Sequence, residues 1–541
     1  MPEEIRDILW VDDEIDQLRS HIIFLEQKGY RVTAASNGAD AINLVSEKGF
    51  DLVLLDEMMP GQDGLTTLEE IKRISPHLPI IMVTKSEEED LMNQAIGKKI
   101  DDYLTKPVNP SQILSAAKRI LETRKIRKEQ LTKDYVKSFN EIQALLNSSL
   151  NWQDWIRIHS QLCSWDLEIS SFADQAIQSS HLGQRRECNL MFGKFVEKHY
   201  PLWAKGNSAP PLSIDVVKKY LSPLLMGGKP CYFVVVDCMR LDQWLVIEPI
   251  LSEFYDINRE YYYSILPTAT PYSRNAIFSG LLPRDLAKTY PELWKNKDQD
   301  ESSLNRHERQ FLDTQLKRLG ISFKAEPKYV KVLDVTEAEN LAKKIGTYRD
   351  IPLFSMVFNF LDILSHGRSE SEILKEIAPD ETAFRSLMRS WFVHSHLFEI
   401  LRYLSGQDCS VIITSDHGSI LSTRDTVAYG KKDTSTNLRY KYGDNLNCNT
   451  NQAVLIQSPE EYALPSYGIS TTYIIAKEDF YFVYPTKYSE YRRQYQNSFQ
   501  HGGISLEEMI LPIATLTPIS RHISRPSLKM QNSQIRGIRE K

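Results

Sequence analysis

The stretch Ser410–Gly418, SVIITSDHG, constrains the fold more than any other in the chain. Val411, Ile412 and Ile413 form a short apolar, β-branched run between polar residues, which predicts a buried strand of a parallel sheet. The run stops in Asp416-His417 and a turn glycine. Ligand sites in open α/β sheets lie beyond the carboxyl ends of strands, and a carboxylate beside an imidazole suits a borderline-soft divalent metal. Taken alone, an Asp-His pair after a strand reads as a polar turn.

The pattern recurs. Cys231–Asp237, CYFVVVD, is a second apolar run ending in a carboxylate, and Leu353–Asp362, LFSMVFNFLD, is a third, with His366 four residues further on. On a helical turn Asp362 and His366 share one face and can hold one ion. His501 sits in a glycine turn, QHGG, before a helix start SLEEM and the strand ILPIATL. Aspartates converging near Asp416 would repel by about 4 kcal/mol per pair at an effective dielectric of about 20, so the set predicts bound metal, two ions in all. A nucleophile is offered by Ile265–Gly280, ILPTATPYSRNAIFSG. Thr270 precedes a proline and a helix-like run, where backbone N–H groups can face a phosphate.

In their order and spacing Asp237, Thr270, Asp362, His366, Asp416, His417 and His501 resemble the alkaline phosphatase superfamily, over roughly residues 215–519. PTAT before a helix ending at Gly280 is similar to the threonine motif of its nucleotide phosphodiesterase branch. Pro271-Tyr272-Ser273 departs from that branch's Pro-Asn-His, and sulfatases would need cysteine or serine at position 270. The resemblance implies one zinc on Asp237, Thr270, Asp416 and His417, a second on Asp362, His366 and His501, and Thr270 as the catalytic nucleophile.

With 541 residues the chain predicts several domains, since single cores stop growing near about 250–300 residues. Its net charge of −6 gives no global attraction to nucleic acid or membrane. There is no N-terminal signal pattern and no apolar run near the ~20 residues that span a bilayer. The six cysteines, at 163, 188, 231, 238, 409 and 448, lack any C-x-x-C and predict reduced thiols in a cytoplasmic protein.

Residues 1–124 alternate strand and helix, with strands at 8–11, 30–34, 52–56, 80–84 and 102–106 and helical patterns at 15–28 and 65–74, which predicts a doubly wound parallel sheet. Asp12, Asp13 and Asp56 lie at strand ends, as do Thr84 and Lys106. With the turn DEMMPGQDG this segment resembles the receiver domains of response regulators. The resemblance implies Mg²⁺ on Asp12, Asp13, Asp56 and the Met58 carbonyl, phosphorylation of Asp56, and Thr84, Tyr103 and Lys106 as the switch residues.

Residues 125–207 predict a small helical linker bundle, with Ile113, Ile120 and Leu121 on the buried side of its approach and the basic run from Lys118 to Lys133 as a solvated face, since Glu122 and Glu129 interleave. Pro201 is read as ending the helices. A linker at Ser208–Leu212 leads to the metal domain, 208–519, and 520–541 is read as a loose tail. Leu421–Gln500, tied at both ends to ligand segments, is expected to overhang the site, with Lys431, Lys432, Arg439 and Lys441 as possible substrate contacts; a separate small core is the alternative. His394 and His396 are read as surface or packing residues, and His21, His77, His159, His181, His199, His307 and His522 as outside any constellation. Cys238 is read as pointing away from Asp237 by strand alternation.

A receiver, a helical connector and a metallo-hydrolase domain in this order resemble PorX-type response regulators with a PglZ output domain. That resemblance implies regulation of type IX secretion, a sensor histidine kinase, a sigma factor as possible partner, a homodimer on phosphorylation, and a nucleotide or oligonucleotide diester substrate. An alternative output is a zinc-stabilised protein-binding module. A DNA-binding regulator would need a recognition helix and a basic domain, and neither pattern is present.

Overall fold

The computed structural model describes residues 5–75, 77–85, 100–170, 174–294, 301–430 and 437–519. The chain divides into two compact units, residues 1–140 with 171–174, and 141–170 with 175–541.

The first unit is a five-stranded parallel sheet in the order β2-β1-β3-β4-β5, from β1 (Arg6–Val11), β2 (Tyr30–Ala35), β3 (Leu52–Asp56), β4 (Ile80–Thr84) and β5 (Asp102–Thr105). Both faces are covered. Helices α2 (Gly38–Glu47) and α3 (Gly64–Ile74) pack on Leu9, Val53 and Leu55, whereas α1 (Arg19–Gln27) and the start of α4 (Pro110–Leu146) pack on Ile8, Trp10 and Leu54. Strands buried on two sides need continuous apolar runs, and ILWV and LVLL supply them. Asn37 and Asp63 cap α2 and α3 by accepting the N–H groups of Asp40 and Thr66. Ile113 and Leu121 of α4 are buried and Ile120 is partly so, while Lys118 pairs with Glu122 on the wet face.

The second unit is built on a six-stranded sheet in the order β7-β16-β10-β6-β9-β8. Its members are β6 (Cys231–Val236), β7 (Tyr255–Tyr263), β8 (Lys328–Val332), β9 (Leu353–Phe358), β10 (Ser410–Thr414) and β16 (Ile510–Pro518). The sheet is mixed. Neighbours β8, β9, β6 and β10 are parallel, and β16 runs antiparallel between β10 and β7. The predicted parallel surroundings of Ser410–Thr414 therefore hold on one side only, because the chain returns through β16 directly after a tight helical turn.

The helical middle region is α5 (Trp152–Ser170) and α6 (Gln175–Trp203). Trp155, Phe192, Val196 and Tyr200 share one core with Tyr262, Tyr263 and Leu266 of the sheet region, so the two helices are layered on the sheet. Pro201 lies inside α6, which runs on to Trp203. His181, read as outside any acidic or histidine constellation, is buried with Nε2 2.9 Å from Asp166 Oδ1; the pairing needs α5 and α6 side by side, which spacing alone does not reveal. All six cysteines are buried and free.

The segment 421–500 carries a three-stranded antiparallel sheet of β12 (Tyr440–Asp444), β14 (Thr471–Ala476) and β13 (Ala453–Ile456). Its residues alternate: Tyr440, Val454, Tyr473 and Ile475 join the main core, and Ala453, Ile474 and Ala476 join a small core with Phe480 and Phe482. That packing overturns the reading of Arg439 and Lys441 as substrate contacts. Both are fully buried. Arg439 donates to both Glu508 oxygens, at 3.1 and 2.6 Å, and Lys441 Nζ donates to the Asn437 carbonyl at 3.0 Å over the Tyr484 ring. Lys431, Lys432 and the tail lie outside the described residues.

Candidate metal centres

Three adjacent parallel strands bring the carboxylates together. Asp237 directly follows β6, Asp416 follows β10 by two residues, and Asp362 lies on α9 (Phe360–Glu370) just after β9. The fourth approach is local. β11 (Ile420–Ser422), leaving the Asp416-His417-Gly418 turn, pairs antiparallel with β15 (Ser498–Gln500), so His501 returns beside His417 with their rings stacked 4.3 Å apart.

Asp237, Asp416 and His417 form one cluster of possible ligand atoms, all three side chains buried. Thr270, the first residue of α8 (Thr270–Ser279), places its Oγ1 2.9 Å from His417 Nε2 and 3.4 Å from Asp237 Oδ1. Gly280 closes that helix at φ +63°, which glycine adopts without strain. His417 Nδ1 lies 3.0 Å from the Gly418 carbonyl and donates to it, so Nε2 keeps its lone pair toward the cluster.

Asp362, His366 and His501 form the second cluster. The two imidazole Nε2 atoms are 3.2 Å apart, and each is 3.4 Å from Asp362 Oδ1. Asp362 Oδ1 and Asp416 Oδ2 are buried without a hydrogen bond. Lone pairs of N and O converging in two clusters, the first fully buried and the second open to solvent at the half-exposed His366, are what paired divalent cations take.

The bare charges are strained. Burial and the Asp416 carboxylate push Asp237 up to about 7, and burial raises Asp416 too. Burial and the neighbouring His501 push His417 down to about 3. At the second cluster burial would raise Asp362, but its two imidazoles hold it well below the usual carboxylate range.

Spacing did not single out Arg274. It is buried, donates from Nη1 to Asp237 Oδ2 at 2.5 Å, and lies 3.7 Å from Asp416 Oδ2, while its Nε meets Glu308 at 2.6 Å. One helical turn past Thr270, it shares that residue's face, a signal present in the sequence. Glu308 is 34 residues further on and carried none. Cys238 proves to lie beyond β6, not on it, with φ +67° and its N–H donating to Asp416 Oδ1 at 3.3 Å.

In the first unit Asp12, Asp13 and Asp56 cluster at the ends of β1 and β3. Lys106 Nζ lies 2.9 Å from Asp12 and 3.0 Å from Asp56. Burial raises the Asp56 carboxyl, and Asp12 and Asp13 add to this against Lys106. Thr84 is buried at the end of β4, with its hydroxyl on Glu57; Tyr103 and the Met58 side chain are exposed.

Three family models match the chain in succession: "Response regulator receiver domain" over residues 8–118, "PorX response regulator linker domain" over 125–204, and "BREX system PglZ alkaline phosphatase-like domain" over 216–516. The transcriptional regulatory protein ZraR of Klebsiella oxytoca is 34% identical over 154 residues, 27% of this chain and 35% of that protein. The transcriptional regulatory protein ResD of Bacillus subtilis is 39% identical over 114 residues, 21% of this chain and 47% of that protein. The chain thus spans about a third to a half of the length of these curated relatives. Among solved structures, a CheY-like receiver domain protein from Methanospirillum hungatei JF-1 is 29% identical with a TM-score of 0.22, covering 23% of this chain and 99% of its own. The chain belongs to the PglZ alkaline phosphatase-like family, in the PorX-type arrangement that sets a response regulator receiver domain and a linker domain ahead of it.

Proposed function

We propose that this response regulator controls a di-zinc phosphodiesterase acting on nucleotide or oligonucleotide diesters. One observation carries the reading: Thr270 Oγ1 stands at the N-terminus of a ten-residue helix, within 2.9 Å of His417 Nε2. Asp237, Asp416, His417 and Thr270 would hold one Zn²⁺ and Asp362, His366 and His501 the other, where zinc would polarise a phosphoryl oxygen and lower the pKa of a water.

Thr270 Oγ1 gives up its proton and attacks phosphorus, the bond to the leaving alcohol breaks as that alcohol takes up a proton, and the threonyl phosphodiester left on the chain is hydrolysed by water to a phosphate monoester and free Thr270. The positive end of the α8 dipole favours the added negative charge. Asp237 divides its work: Oδ1 faces Thr270 while Oδ2 is fixed by Arg274. The Asn305 amide, which donates at 3.1 Å to the Thr270 carbonyl and at 2.8 Å to Glu308, holds the nucleophile's turn.

In the receiver, Asp12, Asp13, Asp56 and the Met58 carbonyl would hold Mg²⁺, a hard cation suited to oxygen ligands, and Asp56 would take phosphate from a sensor histidine kinase. Phosphorylation adds up to about two negative charges, draws Thr84 and Tyr103 inward, and promotes a homodimer. The PorX-type arrangement supports placing this regulation in the cytoplasm, in type IX secretion, with a sigma factor as possible partner.

Thr270→Val tests the catalytic reading against a protein-binding output. It should abolish hydrolysis of a model diester while partner binding persists; unchanged hydrolysis would refute it.

A further inference from the structure

Arg185 of α6 belongs to the middle helices, yet besides Asp166 of α5, 3.3 Å from its Nη1, it grips two segments of the output domain. Its Nη1 donates to Glu381 Oε2 and its Nη2 to Glu507 Oε1, both at 2.7 Å. Glu381 opens helix α10 (Glu381–His394), and Glu507 lies in the short helix α11 (Leu506–Met509), six residues past His501. Asn189, one turn along α6, donates to Glu507 Oε2 at 3.0 Å and accepts the Leu506 N–H at 2.8 Å. Glu381 gives its other oxygen to Arg240 Nη1 at 2.8 Å, three residues beyond Asp237. Asp242, on helix α7 (Leu241–Leu251), closes the far edge of Arg240 at 2.8 and 2.5 Å.

Glu507 and Arg240 meet again at Gly418. The Gly418 N–H donates to the Glu508 carbonyl at 3.1 Å. A Cβ on Gly418 would run into the Glu507 carbonyl oxygen and stand 3.4 Å from Arg240 Cγ. The residue after His417 is therefore clamped between the Glu507 backbone and the Arg240 stem, and its carbonyl is the one that fixes His417 Nδ1. Orienting groups behind metal ligands set ring direction and basicity.

We propose that Arg185 is a positioning residue: through Glu507 and through the Glu381–Arg240 pair it holds the Gly418 peptide, and with it the His417 ring, in the orientation the first zinc requires. The middle helices then complete the output domain, beyond connecting it to the receiver. Without Arg185, Glu381 keeps Arg240, whereas Glu507 keeps the neutral Asn189 amide and loses the guanidinium that balances its charge at the α11 turn. This rests on the reading of Asp237, Asp416 and His417 as a zinc site.

The test is a competition titration of the full chain against a chromophoric zinc chelator, for wild type, Arg185→Met, Arg185→Lys and Glu507→Gln, with circular dichroism to verify folding. Wild type should bind two zincs. Arg185→Met and Glu507→Gln should weaken one of them roughly 10-fold or more, leave the other unchanged, and lower kcat for a model diester more than they change KM. Arg185→Lys should lie between. If Arg185→Met does not fold, Glu507→Gln, which keeps the side-chain volume, carries the test. Two wild-type-like zinc affinities with an unchanged kcat and only a lower melting temperature would overturn the proposal alone. A wild-type chain that binds no zinc would overturn the metal reading and this proposal together.

Discussion

His366 Nε2 and His501 Nε2 lie 3.2 Å apart although 135 residues separate them in the chain. Two imidazole nitrogens at that distance either share a proton or face one cation. Asp362 Oδ1, 3.4 Å from both and without a hydrogen bond, completes a triangle of donors. Asp362→Asn or His366→Ala should therefore halve the zinc per chain, read by elemental analysis, and leave the Asp237 cluster loaded. Two zincs retained in both variants would contradict the assignment of that triangle.

Thr270→Ser keeps the hydroxyl that Thr270→Val removes. The serine variant should retain measurable diester hydrolysis, and the valine variant should lose about 10³-fold or more. Equal activity in the two variants, measured with a nitrophenyl diester, would exclude attack by the side-chain oxygen.

Gly418→Ala and Gly183→Ala should part company in thermal melts. The first places a methyl against the Glu507 carbonyl, where backbone must move; a loss of about 2–3 kcal/mol or more follows from overpacking together with displacement of a buried hydrogen bond. The second adds a methyl in open space on α6, and alanine in a helix interior gains up to about 1 kcal/mol over glycine.

Acid should unfold the second unit in two stages. Burial pulls the His159 imidazole down to about 4, with Glu507 opposing. A base held neutral in the fold contributes stability above its unfolded pKa of 6.5 that is lost as pH falls toward 4, roughly 3 kcal/mol in all. Burial would raise the Glu381 carboxyl, but Arg185 and Arg240 bring it to about 2. Its contribution is present above 4.5 and is lost as pH falls through 2. Denaturant midpoints measured from pH 7 to 2 should decline, and His159→Asn should flatten the upper part of that decline.

Asp56 is the carboxylate that Lys106 reaches at 3.0 Å. Asp56→Asn should abolish labelling by a small phosphodonor and the accompanying shift from monomer to dimer in light scattering. A dimer that forms equally in the variant would separate assembly from phosphorylation.

The strands were legible because they are buried on both faces: LVLLD, CYFVVV and SVIIT are continuous apolar runs that periodicity identifies. The convergence of Asp237, Asp362 and Asp416 followed, since each closes one of three neighbouring parallel strands or opens the helix after it. Arg439 and Lys441 misled because a basic residue in a tyrosine-rich excursion looks solvated. Their burial depends on one face of β12 packing on the main core and on a carboxylate, Glu508, 69 residues from Arg439. The Arg185–Glu507 pair spans 322 residues, and the partnership of His181 with Asp166 needs two helices aligned. Pairings of this kind are set by tertiary packing and leave no local pattern.

If five separated segments meet around two cations beneath one threonine, the metal must travel with the protein. Elemental analysis of the purified full-length wild-type chain tests this most directly. Two zincs per chain, falling to one with Asp362→Asn, is the predicted result; a folded chain carrying no transition metal would contradict it.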